Sequence, residues 1–303
     1  MSDEKILMER DRETGIARVT FNHPEKRNSY DKAMRDLLAR HLDVLADDDD
    51  IKVVLLRGNG GVFSTGADMG NAYAWYDEKD APDGVAPSPR AERRKTRRPS
   101  QRRRLGIDRR TFDFYHSYLG YPKVTIAEVS GYALGGGFEL ALMSDVSVVA
   151  RDAKVGMPAT RFLGPALGSL PVFFHRLGPV VARRMLLTGD VIAAGDITKP
   201  DVFTEIVDPA DVTARADWYA RKIAKMPADG ISIAKESFRL IESLTAYQGE
   251  EVLGYLVHAY GTNLQFEDDE FNFVKTRKEH GTSKAFQLRD EFFEVPEPGK
   301  EGA

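Results

Sequence analysis

Apolar residues recur along the first half of the chain in short runs separated by polar breaks. Residues 16–21, IARVTF, alternate well enough to predict a strand, and NHPEK ends it with a proline. Ser29 is positioned to cap a helix from about Tyr30 to Leu45, where Met34, Leu37, Leu38, Leu42 and Leu45 recur at helical spacing. The run DDDD at 47–50 stops it. IKVVLLRG (51–58), KVTIAEVSG (123–131) and VSVVA (146–150) predict buried strands. Strand, helix, strand, loop, strand, helix, strand is the rhythm of an α/β core. Past residue 205 the character changes. From DPADVTARADWYARKIAKM to KAFQLRDEFF the spacing is helical and no strand alternation is evident. The reading is an α/β core over 1–205 and a helical C-terminal region over 206–303. Trp218, Tyr219, Ile223, Leu253, Tyr255, Leu256 and Tyr260 make these helices more aromatic than solvated ones need. Core packing is the simpler account, a subunit interface the sharper one.

Residues 72–110 break the pattern. The stretch DAPDGVAPSPRAERRKTRRPSQRRRLGIDRR holds four prolines, and residues 90–110 carry eleven Lys and Arg against Glu92 and Asp108. Such a composition predicts a basic surface insertion outside the core. A solvated loop is the simplest role. Arg contacts to phosphate groups and nucleic-acid binding are the alternatives, the latter weakened by the lack of interleaved aromatics.

The 303 residues suffice for one large domain or two smaller ones. Charged residues make up 30% but the net charge is only −4, so no global field points to a polyanion. The absence of cysteine excludes disulfides, iron–sulfur clusters, thiolate zinc and cysteine nucleophiles. The six histidines form no H-x-H or H-x-x-x-H pair. No apolar run approaches the ~20 residues of a membrane span. The expectation is a soluble, cytoplasmic protein without a metal.

Two strand-to-helix junctions share a design: FSTGADMG (63–70) and GYALGGGFEL (131–140). A helix interior penalises glycine by ~1 kcal/mol relative to alanine, so three consecutive glycines, Gly135 to Gly137, point to something a side chain would block. Backbone N–H groups at a helix start are unpaired and sit at the positive end of the dipole. If the junctions face each other, one N–H from each can hold a single carbonyl oxygen as negative charge develops, each donor worth ~3 kcal/mol. A phosphate loop fits less well, because neither G-K-[ST] nor G-x-G-x-x-G with a later acid is present. Glu139, in the first helical turn, has a plainer role available, since an acid there gains ~0.3–1 kcal/mol from the dipole.

The two motifs in this order resemble the crotonase family, also called the enoyl-CoA hydratase/isomerase family. RVTFNHPEKRNSYDKAM, FSTGADM, VSGYALGGGFELALMSDVSVVARDAKVGMPATRFLGPALG, ARRMLLTGDVIAAGD and FVKTRKEHG carry the likeness, over most of residues 4–280. The resemblance implies a spiral of ββα units with a C-terminal helical trimerisation region. It implies an acyl-CoA thioester substrate, no cofactor beyond that coenzyme A, and a homotrimer or dimer of trimers; neither a membrane nor nucleic acid is the expected partner. Ala67 and Gly136 match the family's oxyanion donors, and Glu139 matches one catalytic glutamate. Arg27, Asp68, Met69, Gly135, Ala159, Arg161, Phe273 and Arg277 match substrate- and CoA-binding positions, with Phe273 near the adenine and Lys275 beside it. Asp68 also suits a turn former.

The second hydratase glutamate belongs after the proline of MPAT, where this chain has Ala159. A methyl group transfers no proton. Leu167 stands where some isomerases carry aspartate. Thr160 and Arg161 flank the gap, and Tyr132 and His175 are candidate substitute proton carriers. The expected activity is enolate chemistry on an acyl-CoA, with Glu139 as acid/base. A catalytically impaired acyl-CoA-binding protein and an RNA-binding member using the arginines remain as alternatives.

Overall fold

The computed structural model describes residues 4–70, 100–165, 168–244, 250–261, 266 and 269–294. Strand β1 (Ile6–Asp11) runs antiparallel to β2 (Ile16–Phe21), with Ile6 opposite Phe21. The hydrophobic pattern misses β1, because this edge strand buries little beyond Ile6 and exposes Glu9 and Arg10. Helix α1 (Lys32–Ala46) begins two residues later than the sequence suggests. Asp31, not Ser29, caps it, accepting Met34 N–H at 2.9 Å. Tyr30 instead pairs with Ala67 in a parallel bridge. The predicted apolar stripe is present, with Met34, Leu38, Leu42 and Leu45 buried.

The chain continues as β3 (Val53–Gly58), α2 (Gln101–Leu119), β4 (Val124–Val129), β5 (Tyr132–Leu134), α3 (Gly136–Met143), β6 (Val146–Ala150) and β7 (Lys154–Gly156). Then come α4 (Thr160–Leu163), α5 (Leu170–Thr188), β8 (Val191–Ala193), β9 (Glu205–Val207) and α6 (Val212–Ala224). Helices α7 (Ala228–Glu242), α8 (Glu250–Gly261), α9 (Phe273–His280) and α10 (Thr282–Phe293) complete it. The large sheet has the order β1-β2-β3-β4-β6-β9 and is parallel from β2 onward. The small sheet is β5-β7-β8. Twice the chain lays one strand in the large sheet, one in the small sheet, and then a helix: β4, β5, α3, and β6, β7, α4. This alternation carries each ββα unit from one sheet to the other.

Val53 to Leu56 of β3 are all buried, so both faces of the large sheet are covered. Helix α6 lies along β2, β3, β4 and β6 and buries Val212, Ala216 and Ala220, one residue per turn. The C-terminal region is helical as expected, although β9 still belongs to the sheet. Lys235 of α7 reaches Asp145 at 2.6 Å, and Asp145 also accepts from Thr125 N–H of β4 at 2.8 Å. The aromatic C-terminal face divides between the two expectations. Tyr219 and Ile223 pack on the core, whereas Trp218 and Leu253 stay partly exposed.

The basic segment departs from expectation in its second part. Residues 71–99 lie outside the described residues, but 101–110 are the first turns of α2, not a surface loop. Ser100 caps this helix, and Arg104, Asp108, Thr111, Phe112, Tyr115 and Tyr118 form a buried stripe at helical spacing. Arg102, Arg109 and Arg110 remain exposed. Charge density hid an amphipathic helix whose buried face includes two charged residues.

Candidate active site

The two glycine junctions meet. The segment at 64–68 threads between the start of α1 and strand β5. Ser64 N–H donates to Tyr132 C=O at 2.9 Å, and Leu134 N–H returns a bond to Ser64 C=O at 3.0 Å. On the other side, Tyr30 N–H donates to Gly66 C=O and Asp68 N–H to Tyr30 C=O, both at 2.9 Å. Ser64 Oγ, buried, donates to Asn28 C=O at 2.7 Å and accepts from Gly66 N–H at 3.1 Å. A Cβ placed on Gly66 would stand 2.7 Å from Gly136 N and 2.6 Å from Leu134 C=O. The approach of these two backbones tolerates no side chain.

The three glycines have separate reasons. Gly135 takes φ 54°, ψ −127°, which turns the chain out of β5 and into α3. A Cβ on Gly136 would overlap the hydroxyls of Tyr30 and Tyr115, and one on Gly137 would overlap Ser64 C=O. Among the described residues neither Ala67 N–H nor Gly136 N–H has a protein acceptor. Gly136 is the first residue of α3, where no intrahelical partner exists.

Glu139, one turn into α3, is buried. Its Oε1 accepts the N–H of Ser169 at 2.7 Å. Ser169 is the cap position of α5, brought over α3 by packing between the helices that includes Phe138 against Phe173, 5.9 Å between ring centres. Glu139 is therefore more than a dipole-matched surface acid. Its carboxylate is oriented by a backbone donor inside the protein.

Beside Gly136 the hydroxyls of Tyr30 and Tyr115 are hydrogen-bonded to each other. Burial pushes both phenols above their ordinary range, and the Glu139 charge adds to the shift. Sequence reasoning missed both. Tyr30 was placed at the head of a helix, and Tyr115 lies beyond the glycine motifs on α2. The one sequence signal was indirect: a glycine at 136 implies that something occupies the space of its side chain.

The remaining candidates fall into two groups. Met69, Ala159, Phe273 and Arg277 come together. Phe273 is fully buried, stacked on Phe162 at 4.6 Å between ring centres, with Met69 and Ala159 packed against the same cluster. Arg277 donates to Met69 C=O, so α9 reaches back to the first glycine segment. Asp68 accepts Gly70 N–H at 2.8 Å, as a turn former does, and Lys26 Nζ at 2.8 Å. Burial alone would raise its carboxyl, but those donors outweigh it and hold it below the ordinary value. Lys275 N–H is used in capping α9, donating to Asn272. Other residues point elsewhere. Arg161 donates to Thr188 C=O at 3.0 Å and to Asp190 at 3.3 Å. Arg27 is exposed, with its guanidinium over the Tyr132 ring at 5.2 Å. His175 is exposed on α5, and partial burial lowers its pKa. Leu167 lies outside the described residues. Among the described residues no cluster of three His, Asp or Glu could hold a metal ion, and no helix is long and apolar enough to cross a membrane.

The structure so far defines an α/β protein of two coupled sheets, with facing glycine-lined backbones and a buried glutamate at their meeting point. The family model for enoyl-CoA hydratase/isomerase matches residues 11–85 and 96–283, and the chain belongs to that crotonase family of enzymes. A probable enoyl-CoA hydratase of Mycobacterium bovis is 30% identical over 242 residues, 78% of this chain and 82% of the relative. The 2,3-dehydroadipyl-CoA hydratase of Escherichia coli is 29% identical over 240 residues, 78% of this chain and 84% of the relative. The crystal structure of an enoyl-CoA hydratase from Mycobacterium smegmatis superposes with a TM-score of 0.78 at 26% identity, covering 95% of this chain and 94% of that one. The fold is the crotonase fold with its helical C-terminal region.

Proposed function

We propose that this enzyme binds an acyl-CoA thioester between its two glycine-lined junctions and stabilises the enolate formed from it. The supporting observation is the approach of Gly66 to Gly136 N, with the N–H groups of Ala67 and Gly136, near buried Glu139, lacking acceptors among the described residues. The thioester oxygen accepts from both N–H groups. Glu139 takes the α-proton, the C–H electron pair moves into the bond to the carbonyl carbon, and the carbonyl π pair moves onto oxygen. Charge thus develops where fixed donors await it, and it is stabilised more than in the ground state. Return of the proton to the α-carbon gives exchange, and delivery to the γ-carbon of an unsaturated chain moves the double bond.

Hydration asks for more. Water must be activated and the α-carbon protonated by separate groups, and at one of those positions this chain has the methyl of Ala159. Proton transfer without water addition is the reaction these residues favour, and short-chain enoyl-CoA hydration is slow. The cluster of Met69, Phe273 and Arg277 forms the wall along which the coenzyme extends. Exposed Ile233, Phe238 and Leu240 on α7 support self-association as a homotrimer, which light scattering measures.

The test is incubation with butyryl-, crotonyl- and phenylacetyl-CoA in heavy water. The expected result is deuterium at the α-carbon (or, for crotonyl-CoA, at the γ-carbon), lowered about a thousandfold in Glu139→Gln. No incorporation into any of the three overturns the reading.

A further inference from the structure

Tyr30 and Tyr115 are separated by 85 positions, yet their hydroxyls meet at the Cα of Gly136. Each phenol has one hydrogen to donate. One hydrogen makes the bond between them. The hydroxyl that accepts it keeps a hydrogen of its own, and among the described residues no other partner for either hydroxyl exists. A buried donor left without an acceptor costs about 1–3 kcal/mol, which is recovered if a ligand oxygen completes the bond. Both rings are firmly placed. Phe21 stacks on Tyr30 at 6.0 Å, and Phe112 and Phe114 flank Tyr115 at 6.0 and 5.2 Å between ring centres. Both phenols are neutral at ordinary pH, since burial and the Glu139 charge resist ionisation. They serve as donors, not as bases.

We infer that the Tyr30–Tyr115 pair is a catalytic hydrogen-bond donor, giving its uncommitted phenolic hydrogen to the thioester oxygen held at Gly136 as that oxygen becomes an enolate. The inference rests on the proposed enolate chemistry. It adds a side-chain donor to the two backbone ones, drawn from the segment before α1 and from α2. It also gives a reason why Gly136 has no side chain: a Cβ would occupy the place of the two hydroxyls.

The experiment compares wild type, Tyr30→Phe, Tyr115→Phe and the double variant, each checked for unchanged thermal unfolding. Two quantities are read: the rate of α-deuterium exchange into butyryl-CoA, and its dissociation constant. A donor that acts on the enolate moves the rate and leaves binding nearly unchanged, whereas a packing role moves neither. The double variant is expected to lose about a hundredfold in exchange rate. Loss of either hydroxyl removes the neighbour that orients the other, so each single variant falls by about tenfold. Should the double variant fail to fold, the single variants decide. Wild-type exchange rates in the folded variants overturn the inference and leave the enolate reading standing. Absence of exchange in the wild type overturns both.

Discussion

The surroundings of Glu139 and those of Ala159 differ in kind. Around Glu139 polar groups are held by specific contacts. Helix α3 is wholly buried, Ser169 N–H orients the carboxylate, and the paired tyrosines stand close by. Around Ala159 the wall is apolar, with Met69, Leu163 and Phe273 as its company, and nearby Arg161 turns its guanidinium to Thr188 and Asp190. A buried carboxylate held by a backbone donor marks one, and hydrocarbon the other. The difference teaches that membership in a hydratase/isomerase family does not fix the reaction. On the proposed reading, the methyl of Ala159 in place of a carboxylate turns the balance from adding water toward moving protons.

The most damaging change to the comparison removes the one acid. Glu139→Gln keeps the size and the Ser169 contact but cannot accept a proton, and exchange is expected to fall about a thousandfold. Gly136→Ala comes next. Its methyl overlaps the two tyrosine hydroxyls, so exchange is expected to drop by a hundredfold or more, about the loss of one oxyanion donor, together with a lower melting temperature. Ala159→Glu sharpens the contrast from the other side. Restoring a carboxyl after Pro158 should raise crotonyl-CoA hydration by about tenfold, a modest part of what a positioned acid or base supplies. If the wild type already hydrates crotonyl-CoA as fast as this variant, the two-sided picture fails.

The smallest effect concerns pH. Asp68 has a carboxyl held below its ordinary value by Lys26 and Gly70 N–H, despite burial pushing the other way. A depressed carboxyl stabilises the fold at neutral pH, and that stabilisation disappears as pH falls through the folded value. Asp68→Asn should therefore lose a fraction of a kcal/mol near pH 7, within the usual range for an exposed ion pair. Its melting temperature should then depend less on pH below pH 4 than the wild type does.

Much of the frame was legible in the sequence. The strand at 16–21 declared itself by alternation and those at 51–58, 123–131 and 146–150 by apolar runs, because β2, β3, β4 and β6 lie inside a covered sheet. Strand β1 did not, since an edge strand needs only one buried face. The helix start at Asp31 was misplaced because Ser29 and Asp31 are both good caps, and only the pairing of Tyr30 with Ala67 excludes the earlier one. The first turns of α2 were hidden by arginines that face outward on a helix whose other face is buried. Arg161 matched a binding position by motif, but where its guanidinium points depends on the turn after α5 and on α10, which the motif does not contain.

By itself the sequence determined the α/β character and the two glycine junctions, because each is a local property of neighbouring residues, while the significance of Glu139 and Ala159 came from the family resemblance. Tertiary structure decided that the junctions touch, that Ser169 orients Glu139, and that Tyr30 and Tyr115 share the space beside Gly136. Those contacts join residues far apart in the chain, 30 positions for Ser169 with Glu139 and 85 for the two tyrosines. They exist only because strand pairing and helix packing close long loops, which no local periodicity records.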